Sequence, residues 1–146
     1  MIIAQVTVTK QYAAKGWRVH ACARAPVPDA LKGIEGDIQT HRLEVTDYEA
    51  VKALARELSG EAIDVLICNA GISGKEATVL GSIDPATWRE TFEVNTLAPL
   101  MMAEAFVEQV AASKDRKLIA ISSRLGSITH NDGARYAYRA SKTALN

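Results

Sequence analysis

Tyr138 and Lys142 stand four residues apart near the end of the chain, in Tyr136-Ala137-Tyr138-Arg139-Ala140-Ser141-Lys142. On a helix this spacing sets both side chains on one face. A phenol ordinarily gives up its proton at about pH 10 and a lysine at about 10.4. An ammonium beside the phenol favours phenolate and brings proton exchange closer to neutral pH. Ser123 follows the apolar run Leu118-Ile119-Ala120-Ile121, which predicts a buried strand. A hydroxyl at such a strand end can point at a substrate oxygen and polarise it. Phenol, amine and hydroxyl together suit proton transfer to or from a carbonyl or an alcohol. A Tyr-x-x-x-Lys pair alone is also what an ordinary solvated helix face looks like. The order of the pieces upstream sets this one apart.

Those groups need elements to hold them. Ile63-Asp64-Val65-Leu66-Ile67-Cys68 predicts a strand buried on both faces, and Asn69-Ala70-Gly71 turns the chain directly after it. Trp17 to Ala23 predicts an earlier strand with Arg24 just beyond, followed by a loop with Pro26 and Pro28. Thr40 to Val45 predicts a short strand. Thr46-Asp47-Tyr48-Glu49 has the capping-box spacing, ahead of Val51, Leu54, Ala55 and Leu58 on one helical face. Asp84-Pro85 predicts a helix start, with Trp88, Phe92 and Asn95 at helical spacing. A second helical pattern runs from Pro99 to about Ala112, then a strand from Lys117 to Ser122, then a helix beginning at Tyr138. Proline has no N–H, so a helix running through Pro99 leaves the Asn95 carbonyl able to hold a water. At the start, Val6 and Val8 alternate with Thr7 and Thr9 as in a strand, while Lys10 to Lys15 is helix-like and closes on Gly16.

Strands alternating with helices predict a parallel sheet covered on both faces. Ligands of such sheets bind outside the carboxyl ends of the strands. Arg24, Asn69 to Gly71 and Ser122-Ser123 all stand at such ends and so converge on one edge.

The 146 residues fit one domain, residues 1–146, and a hydrophobic share of 48% with 23% charged residues is that of a globular protein. Lys plus Arg equals Asp plus Glu at 17 each, so no broad field would recruit nucleic acid or an acidic membrane. No apolar run approaches the roughly 20 residues that span a bilayer. Residues 1–20 lack the pattern of a secretory leader. Cys22 and Cys68 sit in apolar runs and are expected as reduced core residues, which implies a cytoplasmic location. His20, His41 and His130 have no ligand spacing, so no metal is expected.

The strand, Asn69-Ala70-Gly71, Asn95, Ser122-Ser123-Arg124-Leu125-Gly126-Ser127-Ile128 and Tyr136 to Lys142, in that order, resemble the short-chain dehydrogenases/reductases. The wording is closest to the subgroup of sniffer-type carbonyl reductases and C-factor signalling proteins. The resemblance covers residues 9 to 146. It implies a Rossmann-like doubly wound α/β fold, a parallel sheet with helices on both faces. It implies Tyr138 as the acid/base. Lys142 would lower the tyrosine pKa and hold the nicotinamide ribose. Ser123 would bind the substrate carbonyl oxygen, and Asn95 would complete the tetrad through a water relay. Asn69, Ala70 and Gly71 would pass close to the cofactor, and Glu44 and Val45 would meet the adenine. Arg24 suits a 2′-phosphate, with Ala23 where NAD-preferring relatives carry an acid, so NADP(H) is expected over NAD(H). A small carbonyl or alcohol substrate and a homo-oligomer, dimer or tetramer, are implied as well.

Two departures stand out. Cys68 replaces the family's first Asn. The glycine-rich loop Thr-Gly-x-x-x-Gly-x-Gly is absent, with Ile3-Ala4-Gln5 where Gly-Ile-Gly belongs. Only 16 residues precede Trp17, against about 30 for a full strand–loop–helix–strand unit. Either the first strand and loop are missing or the first helix is severely shortened; the expectation favours the former, an incomplete sheet with residues 4–15 a remnant helix and the last strands missing too. Two functions follow. One is hydride transfer between NADP(H) and a carbonyl or alcohol with Tyr138 as acid/base. The other is a catalytically inactive truncated member acting as a binding, signalling or dimerising module.

Overall fold

The computed structural model describes residues 2–3, 6–25, 31, 33–74 and 79–146. Its strands are β1 (Ile2–Ile3), β2 (Val19–Ala23), β3 (Ile38–Arg42), β4 (Val65–Cys68) and β5 (Lys117–Ala120). Its helices are α1 (Val6–Ala13), α2 (Tyr48–Glu57), α3 (Pro85–Phe92), α4 (Ala98–Ala111) and α5 (Tyr136–Leu145). A π-helical turn, Glu93–Leu97, carries α3 into α4 without a break, and a 3₁₀ turn, Arg124–Gly126, follows β5. The strands pair in parallel in the order β3-β2-β1-β4-β5. The sheet thus winds outward from β1 in both directions, the doubly wound order, and its topological switch point lies beside β1.

Alternation along β4 explains why it is buried on both faces. Leu66 and Cys68 join the larger core, with Val51, Leu54 and Leu58 around α2 and Met102 and Phe106 of α4. Val65 and Ile67 join a smaller core with Ala13 of α1 and Val19 of β2. Burying a side chain of the size of Leu54 or Val51 is worth about 1.5–3 kcal/mol, so these two anchor α2 against the sheet. Asp84 caps α3 as its sequence predicts, accepting from the N–H groups of Ala86 and Thr87, with Pro85 in the first turn. The run through Pro99 also follows from its missing N–H, since the wide turn directly before it is where regular pairing lapses.

Several expectations are corrected. The first strand is not missing. Ile2–Ile3 occupies its place between β2 and β4, pairing Ile2 with Ala21 and Ile67 and Ile3 with Cys68. The remnant helix is Val6–Ala13, so Val6 to Thr9 is helical and not extended. Thr9 and Ala13 of α1 are buried and four apart, and packing of that stripe outweighs the β-branched alternation. The helix at 48 is capped by Asp47, whose Oδ1 accepts from Ala50 N–H, rather than by Thr46. Thr46 instead donates its own N–H and hydroxyl to Glu44 Oε1. β3 is shifted to Ile38–Arg42 by its register with β2, Val19 to Ile38 through Ala23 to Arg42. The strand ending at Ile121, expected to be buried, is exposed along its length, with Leu118 at 50%. Among the described residues β5 pairs on one side only, with β4. Ala4, Gln5, Pro26 and Pro28 lie outside the described residues. None of the described helices is long and apolar enough to cross a membrane.

Candidate active site

A cleft of about 340 Å³ opens at the carboxyl ends of the central strands. Its walls are Cys22 to Arg24 at the end of β2, Leu43 to Val45 after β3, Asn69 to Ile72 after β4, and Val94 from the π turn. Six residues singled out in the sequence, Arg24, Glu44, Val45, Asn69, Ala70 and Gly71, therefore line one space. Each stands where its strand stops, so its backbone leaves the ladder and faces the opening. The Arg24 guanidinium is exposed and its Nε lies 4.0 Å from Glu44 Oε2. Burial holds the thiol of Cys22, in the cleft wall, up at about 12.

Gly71 connects this cleft to the other predicted residues. A Cβ placed on Gly71 would stand 3.3 Å from Asn95 Oδ1 and 3.5 Å from Lys142 Nζ. The absent side chain thus leaves room where the backbone, an amide and an ammonium meet. Asn95 is fully buried. Its Oδ1 accepts from Ile72 N–H at 2.8 Å, and its Nδ2 donates to the Ile72 carbonyl and Ser141 Oγ, both at 2.9 Å. Ser141 Oγ in turn donates to the Tyr138 carbonyl at 2.8 Å, and Thr96 Oγ1 donates to the Ser141 carbonyl. One amide therefore ties the loop after β4 to the helix that carries Tyr138 and Lys142.

Lys142 is 4% exposed and donates from Nζ to the Ile121 carbonyl at 2.8 Å. Burial lowers its pKa below the ordinary lysine value, because removing water disfavours the ammonium. Ser123 extends from the end of β5 and its Oγ accepts from Leu125 N–H, capping the 3₁₀ turn. Tyr138 lies in the first turn of α5, one helical turn before Lys142. Asn95, Gly71 and Lys142 are thus brought together, and Ser123 lies on the segment packed against α5. Among the described residues no hydrogen bond joins the Tyr138 hydroxyl to Lys142 or Ser123. No group of three His, Cys, Asp or Glu side chains among them could hold a metal ion.

The sequence model of the short chain dehydrogenase family matches residues 6–146. The chain belongs to the short-chain dehydrogenase family. Among relatives, it is 40% identical over 97 residues to C-signal of Myxococcus xanthus, covering 66% of this chain and 58% of that protein. A metagenomic short-chain oxidoreductase solved in complex with NADP superposes with a TM-score of 0.78 at 30% identity, over 97% of this chain and 65% of that one. The carbonyl reductase Sniffer of D. melanogaster superposes with a TM-score of 0.75 at 27% identity, over 86% and 58%. The chain spans about half the length of the curated relatives it matches.

Some contributors to the site of this short-chain dehydrogenase family member carry little signal in the sequence. Ile72 holds Asn95 only through its backbone, which no residue type announces. Ser141 was visible inside the Tyr138-to-Lys142 motif, and its place three residues after Tyr138 was the available signal. Cys22, Leu43 and Val94 line the cleft as apolar wall, indistinguishable in sequence from ordinary core.

Proposed function

We propose that this chain handles NADP(H) and moves the proton in the interconversion of a carbonyl and an alcohol. The observation that carries the reading is the convergence of three strand ends on one cleft whose Gly71 rim meets both Asn95 and Lys142. The residues present fit the adenosine half of the cofactor. Asn69 to Gly71 offer close backbone, Val45 an apolar wall, and Arg24 a cation for a 2′-phosphate, in competition with Glu44. When bound, NADP(H) supplies or accepts the hydride at the substrate carbon. In reduction Tyr138 gives its proton to the substrate oxygen while the Ser123 hydroxyl donates to that same oxygen, leaving an alcohol and a phenolate. In oxidation both steps run backwards. Lys142 places a positive charge one helical turn from the phenol and holds ribose hydroxyls. Asn95 fixes the Ile72 loop, and its carbonyl, facing a proline, is the place for a relay water. The NADP complex of the metagenomic relative and the likeness to the carbonyl reductase Sniffer support this reading.

Titrating NADPH against the protein while following cofactor fluorescence tests the reading. Saturable binding is expected, and Tyr138→Phe should retain binding and fold while losing turnover of an aromatic aldehyde by a factor of about 10² or more. Unchanged turnover in Tyr138→Phe would sink it. A second reading, a binding, signalling or dimerising module without turnover, is favoured by one feature. Only residues 4 and 5 stand between β1 and α1, where a glycine-rich loop would cradle the diphosphate. The likeness to C-signal agrees with it. No saturable NADPH binding is the outcome that selects it.

A further inference from the structure

Segment 122–135 runs along α5 from its C-terminal end back to its first turn. Ser122 Oγ donates to Asn146 Oδ1 at 2.6 Å. The Gly126 carbonyl accepts from Thr143 Oγ1 at 3.0 Å and Asn146 Nδ2 at 3.2 Å. A Cβ on Gly126 would come within 2.8 Å of the Lys142 carbonyl, so the segment lies flat on the helix there. The last attachment is Arg139. Its Nε donates to the Gly133 and Ala134 carbonyls at 2.9 and 3.1 Å, and its Nη1 to the His130 carbonyl at 3.3 Å. Its Nη2 pairs with the Asp132 carboxylate. Arg139, Thr143 and Asn146 follow one another at helical spacing and form one face. Tyr138 and Lys142 form the face beside it.

Two further observations set Arg139 apart. It is only 8% exposed, and a buried arginine persists only when its donors are satisfied, here by a single loop. That loop enters α5 through Ala134 and Arg135, both left-handed, with φ of 56° and 50°. Neither is glycine, so the bend is not one these residues adopt by their own preference, and something outside them must hold it.

The geometry points to Arg139 as a positioning residue: its guanidinium fixes segment 127–135 against the first turn of α5. It thereby sets where the Tyr138 phenol stands relative to Ser123, which lies near the other end of the longer segment 122–135. The inference rests on the proposed function only in naming Tyr138 and Ser123 as the groups to be aligned. A lysine cannot replace the arginine, because the planar fork serves several carbonyls at once and a point charge does not.

The test uses the full chain with carbon-13 at the tyrosine ring carbons, as parent, Arg139→Met and Arg139→Lys. Hydrogen exchange of 127–135 is expected to quicken about tenfold in Arg139→Met with α2 unchanged, and Arg139→Lys to restore it only in part. The Tyr138 ring signal should move in both variants while those of Tyr12 and Tyr48 stay. If Arg139→Met does not fold, Arg139→Lys is read alone by the same criteria. Exchange unchanged in 127–135, or quickened throughout the chain, overturns the proposal. So does a Tyr138 signal that stays put while the segment loosens. NADPH titration of the parent reports separately: a parent that binds no NADPH defeats the proposed function and leaves the exchange and ring-signal outcomes decisive for Arg139.

Discussion

Asn95 spends its whole side-chain amide on two other segments, Ile72 after β4 and Ser141 of α5. Truncation leaves the N–H and carbonyl of half-buried Ile72 without that partner and takes a donor from the buried Ser141 Oγ. Asn95→Ala should therefore cost about 2–3 kcal/mol, read as a lower urea midpoint with unchanged helical circular dichroism. Its placement was partly legible in the sequence. Trp88, Phe92 and Asn95 at helical spacing put it on an inward face, and Pro99 marked the irregular turn. Its partners were not, because contacts across 23 and 46 positions depend on which loop and helix the sheet brings together. Arg139 is the opposite case. It sits inside the most informative motif of the chain, yet its donors go to carbonyls of a loop whose path no side chain declares.

At the scale of elements, β2, β3 and the end of α2 are joined by a pair of imidazoles. His20 Nδ1 and His41 Nε2 are 3.0 Å apart, His20 Nε2 is 3.1 Å from Glu61 Oε2, and His41 Nδ1 is 4.0 Å from Glu57. Arg18 also reaches Glu61, at 3.7 Å. A nitrogen-to-nitrogen bond needs one N–H and one lone pair, so two imidazolium rings cannot share it. Burial and then the neighbouring His20 hold the His41 pKa below its ordinary 6.5, although Glu57 and Glu61 pull the other way. As pH falls through 6.5 the unfolded chain takes up a proton that folded His41 still refuses. Stability from this site is thus full above that value and declines below it. The urea midpoint should be lower at pH 5.5 than at 7.5, and the gap should narrow in His41→Gln. The three histidines looked scattered in the sequence, since only the register Cys22 to His41 sets two of them side by side. The same limit explains β5. Its apolar run was legible as a strand, but hydrophobic pattern does not reveal whether a neighbour stands alongside. By contrast β4, observed over Val65–Cys68, and the Asp84 cap are legible in the sequence, because the first depends on a run apolar on both faces and the second on two adjacent residues.

At the scale of the molecule, large apolar side chains stand exposed on several segments, among them β5, α4 and the loops holding Leu80 and Ile128. Leu118 and Ile121 at the β5 edge are exposed, and so are Leu97, Leu100 and Val107 along the π turn and α4. An unpaired strand edge with apolar side chains favours association, and a lysine there opposes it. Leu118→Lys should lower the concentration-dependent association seen by sedimentation velocity without changing the circular dichroism. The centre of the sheet has a different character. Its middle strand, described over Ile2–Ile3, is set between β2 and β4. The cleft takes walls from both sides of this strand, the ends of β2 and β3 on one and the loop after β4 on the other. A molecule seated there would act as a clasp between two half-sheets. Its affinity would be drawn from the same free energy that keeps the halves in register, so occupancy and cohesion would rise and fall together.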